Sequence, residues 1–151
     1  MTNMLYEIEP YVGVGPVTFG MSRQDVRRVL DSPVQDAART DTGIPTDFFR
    51  ALGIFVYYRQ PGVVEAVEFG GPTSPTFRNR DFLGHSYREI EDWIRSFDPD
   101  VALDPAGLTT YEFGFGLYAP SARKEPDLPV EGVIAFQKGY YERRKHELAG
   151  G

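Results

Sequence analysis

Two histidines, no cysteine and a scatter of carboxylates are the side chains of this 151-residue chain with the most obvious chemical potential. Without cysteine there is no thiol nucleophile, disulfide or thiolate metal site. His85 precedes Ser86 where Met21 precedes Ser22, so it reads as a packing or staple residue at the start of a helix. His146 follows the run Glu142-Arg143-Arg144-Lys145, which is too short and too mixed in sign to draw phosphate. Asp98, Asp100 and Asp104 are spaced like part of a calcium loop, yet the sixth-position glycine and the closing glutamate are missing. Gly13-Val14-Gly15 lacks the third glycine of a dinucleotide loop and reads as a turn. Glu65 and Glu68 read as solvated carboxylates. No catalytic, metal-binding or cofactor-binding constellation emerges, so a non-enzymatic protein without a cofactor is expected.

The elements that would position any site follow from two similar segments. Gly20 to Leu30 and Gly84 to Ile94 each carry Ser followed three residues later by an acid (Ser22/Asp25, Ser86/Glu89), a capping-box signature. Apolar residues then recur at one helical spacing, Val26, Val29 and Leu30 against Ile90, Trp93 and Ile94. The positions between them swap sign, Arg27-Arg28 against Glu91-Asp92, as a solvated face tolerates. A strand follows each helix, Leu52 to Tyr57 and Phe113 to Tyr118, and then a second, Val64 to Gly70 and Val133 to Gly139. Pro61-Gly62 turns the first pair, and a longer loop from Pro120 to Pro129 joins the second. The pattern helix, long loop, strand, strand thus occurs twice, at a period of roughly 60 to 70 residues. The expected fold is α+β: two similar helix–strand–strand halves, with both helices packed on one face of antiparallel sheet. The expected organisation is one domain over 1–151 with repeats at about 14–70 and 78–139. A linker is expected at about 70–80, a polar loop at 31–47 and a frayed tail at 142–151.

Strand alternation sorts the side chains. Leu52, Ile54 and Val56, matched by Phe113, Phe115 and Leu117, should meet the helices, with Val67 and Phe136 beside them. The opposite face would carry Gly53, Phe55 and Tyr57, matched by Gly114, Gly116 and Tyr118. Val64, Ala66 and Glu68 would join it, with Val133, Ala135 and Gln137. That face is too apolar for plain solvent, which leaves two readings: aromatics tucked under long loops, or a concave protein-binding surface. The binding reading selects Phe55, Tyr57, Glu68, Tyr118 and Gln137 as partner contacts.

Composition narrows the partner. Apolar residues at 41% and aromatics at 14% supply a core, so wholesale disorder is excluded. Sixteen basic against 22 acidic side chains give a net charge of −6, which disfavours nucleic acid and suits a basic protein. No stretch approaches the roughly 20 apolar residues of a membrane span. Met1-Thr2-Asn3-Met4 does not open like a secretory signal, so a cytoplasmic location is expected.

The stretch Gly20-Met21-Ser22-Arg23-Gln24-Asp25-Val26, preceded by Val17-Thr18-Phe19, resembles the opening of modules in small outer-membrane assembly lipoproteins. Two such modules in tandem make up the β-lactamase inhibitor protein of the same superfamily. The resemblance covers most of residues 14–139 as a pattern and implies helices backing an antiparallel sheet whose concave face grips an enzyme. The small, acidic, cysteine-free chain, with its Gly139-Tyr140-Tyr141 ending, is also similar in type to immunity proteins that neutralise bacterial toxins. The leading expectation is therefore a protein-binding module that blocks a basic toxin or enzyme. The alternative is a small-molecule-binding domain or enzyme, with a pocket between the halves or under the loop around Thr40 to Phe49. A homodimer through the same face is a third arrangement.

Overall fold

The computed structural model describes residues 5–38 and 45–150. Ser22 caps α1 (Arg23–Leu30) and Ser86 caps α2 (Tyr87–Arg95). Each hydroxyl accepts from the backbone N–H three residues on, at 3.1 Å in both helices, so one otherwise orphaned donor is satisfied per helix. The acids of the two boxes turn outward instead, Asp25 to Arg28 and Glu89 to Arg80.

Ahead of α1, β1 (Ile8–Glu9), β2 (Gly13–Val14) and β3 (Val17–Thr18) make a short antiparallel meander. After α1 come β4 (Gln35–Ala38), β5 (Pro45–Phe49), β6 (Ile54–Arg59) and β7 (Val63–Phe69). The hairpin of β8 (Thr76–Phe77) and β9 (Arg80–Asp81) fills the expected linker and leads to α2. A second meander follows: β10 (Ala102–Asp104), β11 (Gly107–Thr110), β12 (Phe115–Tyr118) and β13 (Gly132–Phe136). The two meanders join through β7 and β13 into one eight-stranded antiparallel sheet, ordered β10-β11-β12-β13-β7-β6-β5-β4. The α+β class and the antiparallel sheet are thus as expected.

One sheet face holds the core. Ile54, Val56, Val67 and Phe69 join Phe115, Leu117, Val133 and Ala135 in the cluster that also buries Val26 and Leu30 of α1 and Ile90 and Ile94 of α2. Each such large apolar side chain stabilises the fold by about 1.5–3 kcal/mol through burial.

Several expectations need correction. β4 and β5 occupy much of the stretch read as a polar loop. A charge at Asp47 breaks the apolar alternation of β5, yet that carboxylate is buried and held by Arg23, Arg27 and Tyr58. Val64 lies in the core, because the β6–β7 register shifts between Tyr57 and Tyr58 and places Val64 opposite Tyr58. β13 is one residue out of the expected phase: Val133 and Ala135 face the core, and Phe136 faces outward. The reason is α3 (Tyr140–Gly150), which occupies the stretch read as a frayed tail and shelters the outward side of Phe136 with Tyr140 and Tyr141. Arg143 of α3 pairs at 3.2 Å with Glu65, whose side chain is fully buried, so Glu65 is not the solvated carboxylate expected.

Candidate functional site

The face opposite the core is assembled by strand register. One row crosses the sheet as Phe48, Phe55, Glu68, Ile134, Gly116 and Thr109. A second runs Thr46, Tyr57, Ala66, Phe136, and a third Gly132, Tyr118, Gly107. Phe48 and Phe55 are directly opposite across β5 and β6 and stack with centroids 4.3 Å apart. Phe55 and Tyr57, two residues apart on one strand, lie nearly parallel at 6.3 Å. The cross-strand Phe48–Phe55 pair stabilises the sheet by about 0.2–1 kcal/mol, and the three rings together present a rigid apolar stripe. The Tyr57 hydroxyl ends that stripe by donating to Glu68 Oε1.

Beyond Glu68 the face dips into a groove of about 190 Å³. Gly116, Gly132 and Ile134 line it, with Tyr118 and Tyr141 beside them and Glu68 and Asp104 supplying carboxylates. Gly132 sits across from Tyr118, and the absence of a Cβ there lowers the surface between β12 and β13. Tyr118 is 50% exposed. Burial pushes the Tyr141 hydroxyl up to about 12, and neighbouring Tyr140, Tyr111 and Glu68 add to the rise against a hydrogen bond with Thr109.

Of the five expected contact residues, Phe55, Tyr57, Glu68 and Tyr118 share this face. Gln137 does not join them: it lies just past β13, and its side-chain carbonyl accepts from Arg59 at 3.1 Å and Arg143 at 3.3 Å. It ties the end of β6 to α3 and has a structural role. Phe48, Tyr141, Asp104 and Gly132 belong to the face and were missed. Phe48 sits in the stretch read as a loop, and Tyr141 at the edge of the stretch read as a frayed tail. The adjacent aromatics Phe48-Phe49, a residue type that favours strands, were the signal that could have found the first.

The remaining candidates separate. His85 approaches Asp81 at 2.5 Å and Glu89 at 3.4 Å, so it meets carboxylates rather than an apolar staple partner. Asp98 accepts from the Thr110 hydroxyl at 2.6 Å, Asp104 from the Ala106 backbone at 2.7 Å, and the two serve different turns. Among the described residues no group of three or more His, Asp or Glu converges as a metal site, and no helix is long and apolar enough to cross a membrane. A second hollow, of about 270 Å³, lies where Tyr11, Tyr111, Phe136, Lys138, Tyr140 and Tyr141 meet. Part of the loop around Thr40 to Phe49, residues 40–44, falls outside the described residues. No known protein family, no curated protein and no solved structure matches this chain.

Proposed function

We propose that this chain is a non-enzymatic protein-binding module that occludes a basic toxin or enzyme with the outer face of its sheet. The observation that carries the reading is the continuous surface from the Phe48–Phe55–Tyr57 stack into the groove beside Tyr118. Tyrosine is enriched in protein hot spots, and a groove lined, among the described residues, by Glu68 and Asp104 but no Lys or Arg would steer a cationic partner. The order helix then four-stranded meander, found after Ser22 and again after Ser86, supports the reading of two similar halves. It also supports the likeness to the tandem-module inhibitor superfamily. The small-molecule alternative draws on the 270 Å³ hollow. That hollow lies below the range of about 300–1,000 Å³ usual for ligand pockets.

The test is affinity capture from a native lysate by the wild-type chain and by Tyr118→Ala and Tyr57→Ala, with melting temperatures measured alongside. The expected result is a protein held at micromolar or tighter affinity, lost at least tenfold in both variants. Tyr118→Ala should keep its Tm within about 2 °C, as an exposed substitution does. No captured protein at micromolar concentration, capture only of a second copy of this chain, or loss of binding in step with loss of Tm would overturn the reading.

A further inference from the structure

We propose that the groove between β12 and β13 receives one arginine side chain of the protein partner, with Glu68 as its counter-charge. The inference rests on the protein-binding reading and names the chemistry the partner must present. The two oxygens of Glu68 have different roles. Oε1 accepts from the Tyr57 hydroxyl, which fixes the carboxylate. Oε2 accepts no hydrogen bond from the described residues and faces the groove floor, 3.9 Å from where a Cβ on Gly132 would lie. No described Lys or Arg pairs with Glu68 or with the Asp104 carboxylate, and none lines the groove. The groove therefore presents negative charge, a dipped glycine floor and aromatic side chains at its margin.

A guanidinium suits that combination better than an ammonium. It is flat enough to lie against the rings of Tyr118 and Tyr141 and is weakly hydrated. Its donor fork can meet Glu68 Oε2 directly, while Asp104, four strands away on β10 and bound to its own turn, adds to the negative field of the groove. The half-buried setting of Glu68 makes the pair stronger than an ion pair on an open surface. A lysine would satisfy the charge but leave the aromatic walls poorly used.

The groove can be closed without disturbing the fold. A methyl group on Gly132 would meet Tyr118 Cβ at 3.4 Å, Phe69 O at 3.6 Å and Glu68 Oε2 at 3.9 Å, all ordinary contacts. Gly132→Ala thus fills the floor, while Glu68→Gln removes the charge and keeps an acceptor for Tyr57.

The probe is a capped glycine–arginine–glycine peptide titrated into the full chain, read by the backbone amide shifts of Gly116, Gly132 and Ile134. The citrulline peptide, equal in shape but neutral, is the control. The expected result is saturable shifts at millimolar peptide, weakened at least fivefold by Glu68→Gln, by Gly132→Ala and by citrulline. Absent saturation, equal binding of the citrulline peptide, or unchanged affinity in a folded Gly132→Ala variant would overturn the inference. Tyr118-dependent capture of a protein alongside a silent arginine titration would overturn the arginine inference alone. Failure of both would overturn the protein-binding reading as well.

Discussion

α1 and α2 each carry a polar pair at the first and fifth helical positions, and the two pairs are built with opposite charge. In α1 the pair is Arg23 and Arg27, both reaching Asp47 of β5 at 2.7 Å while the Tyr58 hydroxyl donates to the same carboxylate at 2.9 Å. In α2 the pair is Tyr87 and Glu91, bridged at 2.6 Å and met by Arg123 from the β12–β13 loop at 2.8 Å and 3.3 Å. The sheet supplies the anion in one case; a loop supplies the cation in the other. Burial separates them further, because the Asp47 side chain is 0% exposed whereas Glu91 and Arg123 keep 15% and 40%. The sign change between Arg27 and Glu91 is therefore balanced by opposite partners, and is not simply the freedom of a solvated face. A wholly buried charge is costly when unpaired, whereas a charge that still reaches water can relax.

The largest expected effect follows from removing both cations of Asp47. Arg23→Met with Arg27→Met should cost about 3–5 kcal/mol in urea unfolding, the loss typical of a buried charge stripped of its partners. A cost near 1 kcal/mol would mean that Asp47 is reached by water and that the two patches are alike.

A smaller effect is expected from pH. Burial by itself would raise the Asp47 carboxyl, but hydrogen bonds from Arg27, Arg23 and Tyr58 outweigh it and hold the group below the ordinary carboxylate range. A depressed folded value means the stabilisation is fully present above the unfolded value of about 3.9 and is lost as pH falls through the folded one. Unfolding free energy measured from pH 6 down to pH 2 should therefore fall more steeply in the wild type than in Asp47→Asn. Parallel curves would remove Asp47 from the acid limb.

The capping serines and the apolar spacing of both helices were legible because they are local: Ser22 and Ser86 act on residues three positions away. The inner residues Ile54, Val56, Phe115 and Leu117 were legible for the same reason, since alternation along one strand sorts them. What escaped depends on residues far away in the chain. Asp47 makes β5 look like a loop until Arg23 and Arg27 are seen to satisfy it. Phe136 looks like a core residue until α3 is seen to cover the opposite face. Four of the five expected contact residues share the outer face because Phe55, Tyr57, Glu68 and Tyr118 follow simple alternation. Gln137 fails because it lies beyond the strand and is drawn to Arg59 and Arg143. The groove itself could not be read, because its glycine floor and carboxylates come from strands whose pairing is set only by the closed sheet.

The smallest expected effect is at α2, where it bears on the burial argument most directly. Arg123 also donates to the Gly107 carbonyl at 2.9 Å and the Asp104 carbonyl at 3.1 Å, so it fastens the β12–β13 loop as well as meeting Glu91. Arg123→Met removes those bonds but leaves Glu91 close to water and still accepting from Tyr87. The expected cost is about 1 kcal/mol, the range of part-exposed pairs. A double-mutant cycle of Arg123→Met with Glu91→Gln should show coupling below about 1.5 kcal/mol, measured by urea unfolding. Coupling as large as the loss at α1 would mean that the balance of charge, rather than burial, governs both patches. In that event the greater sensitivity assigned to Asp47 would have no basis in its 0% exposure.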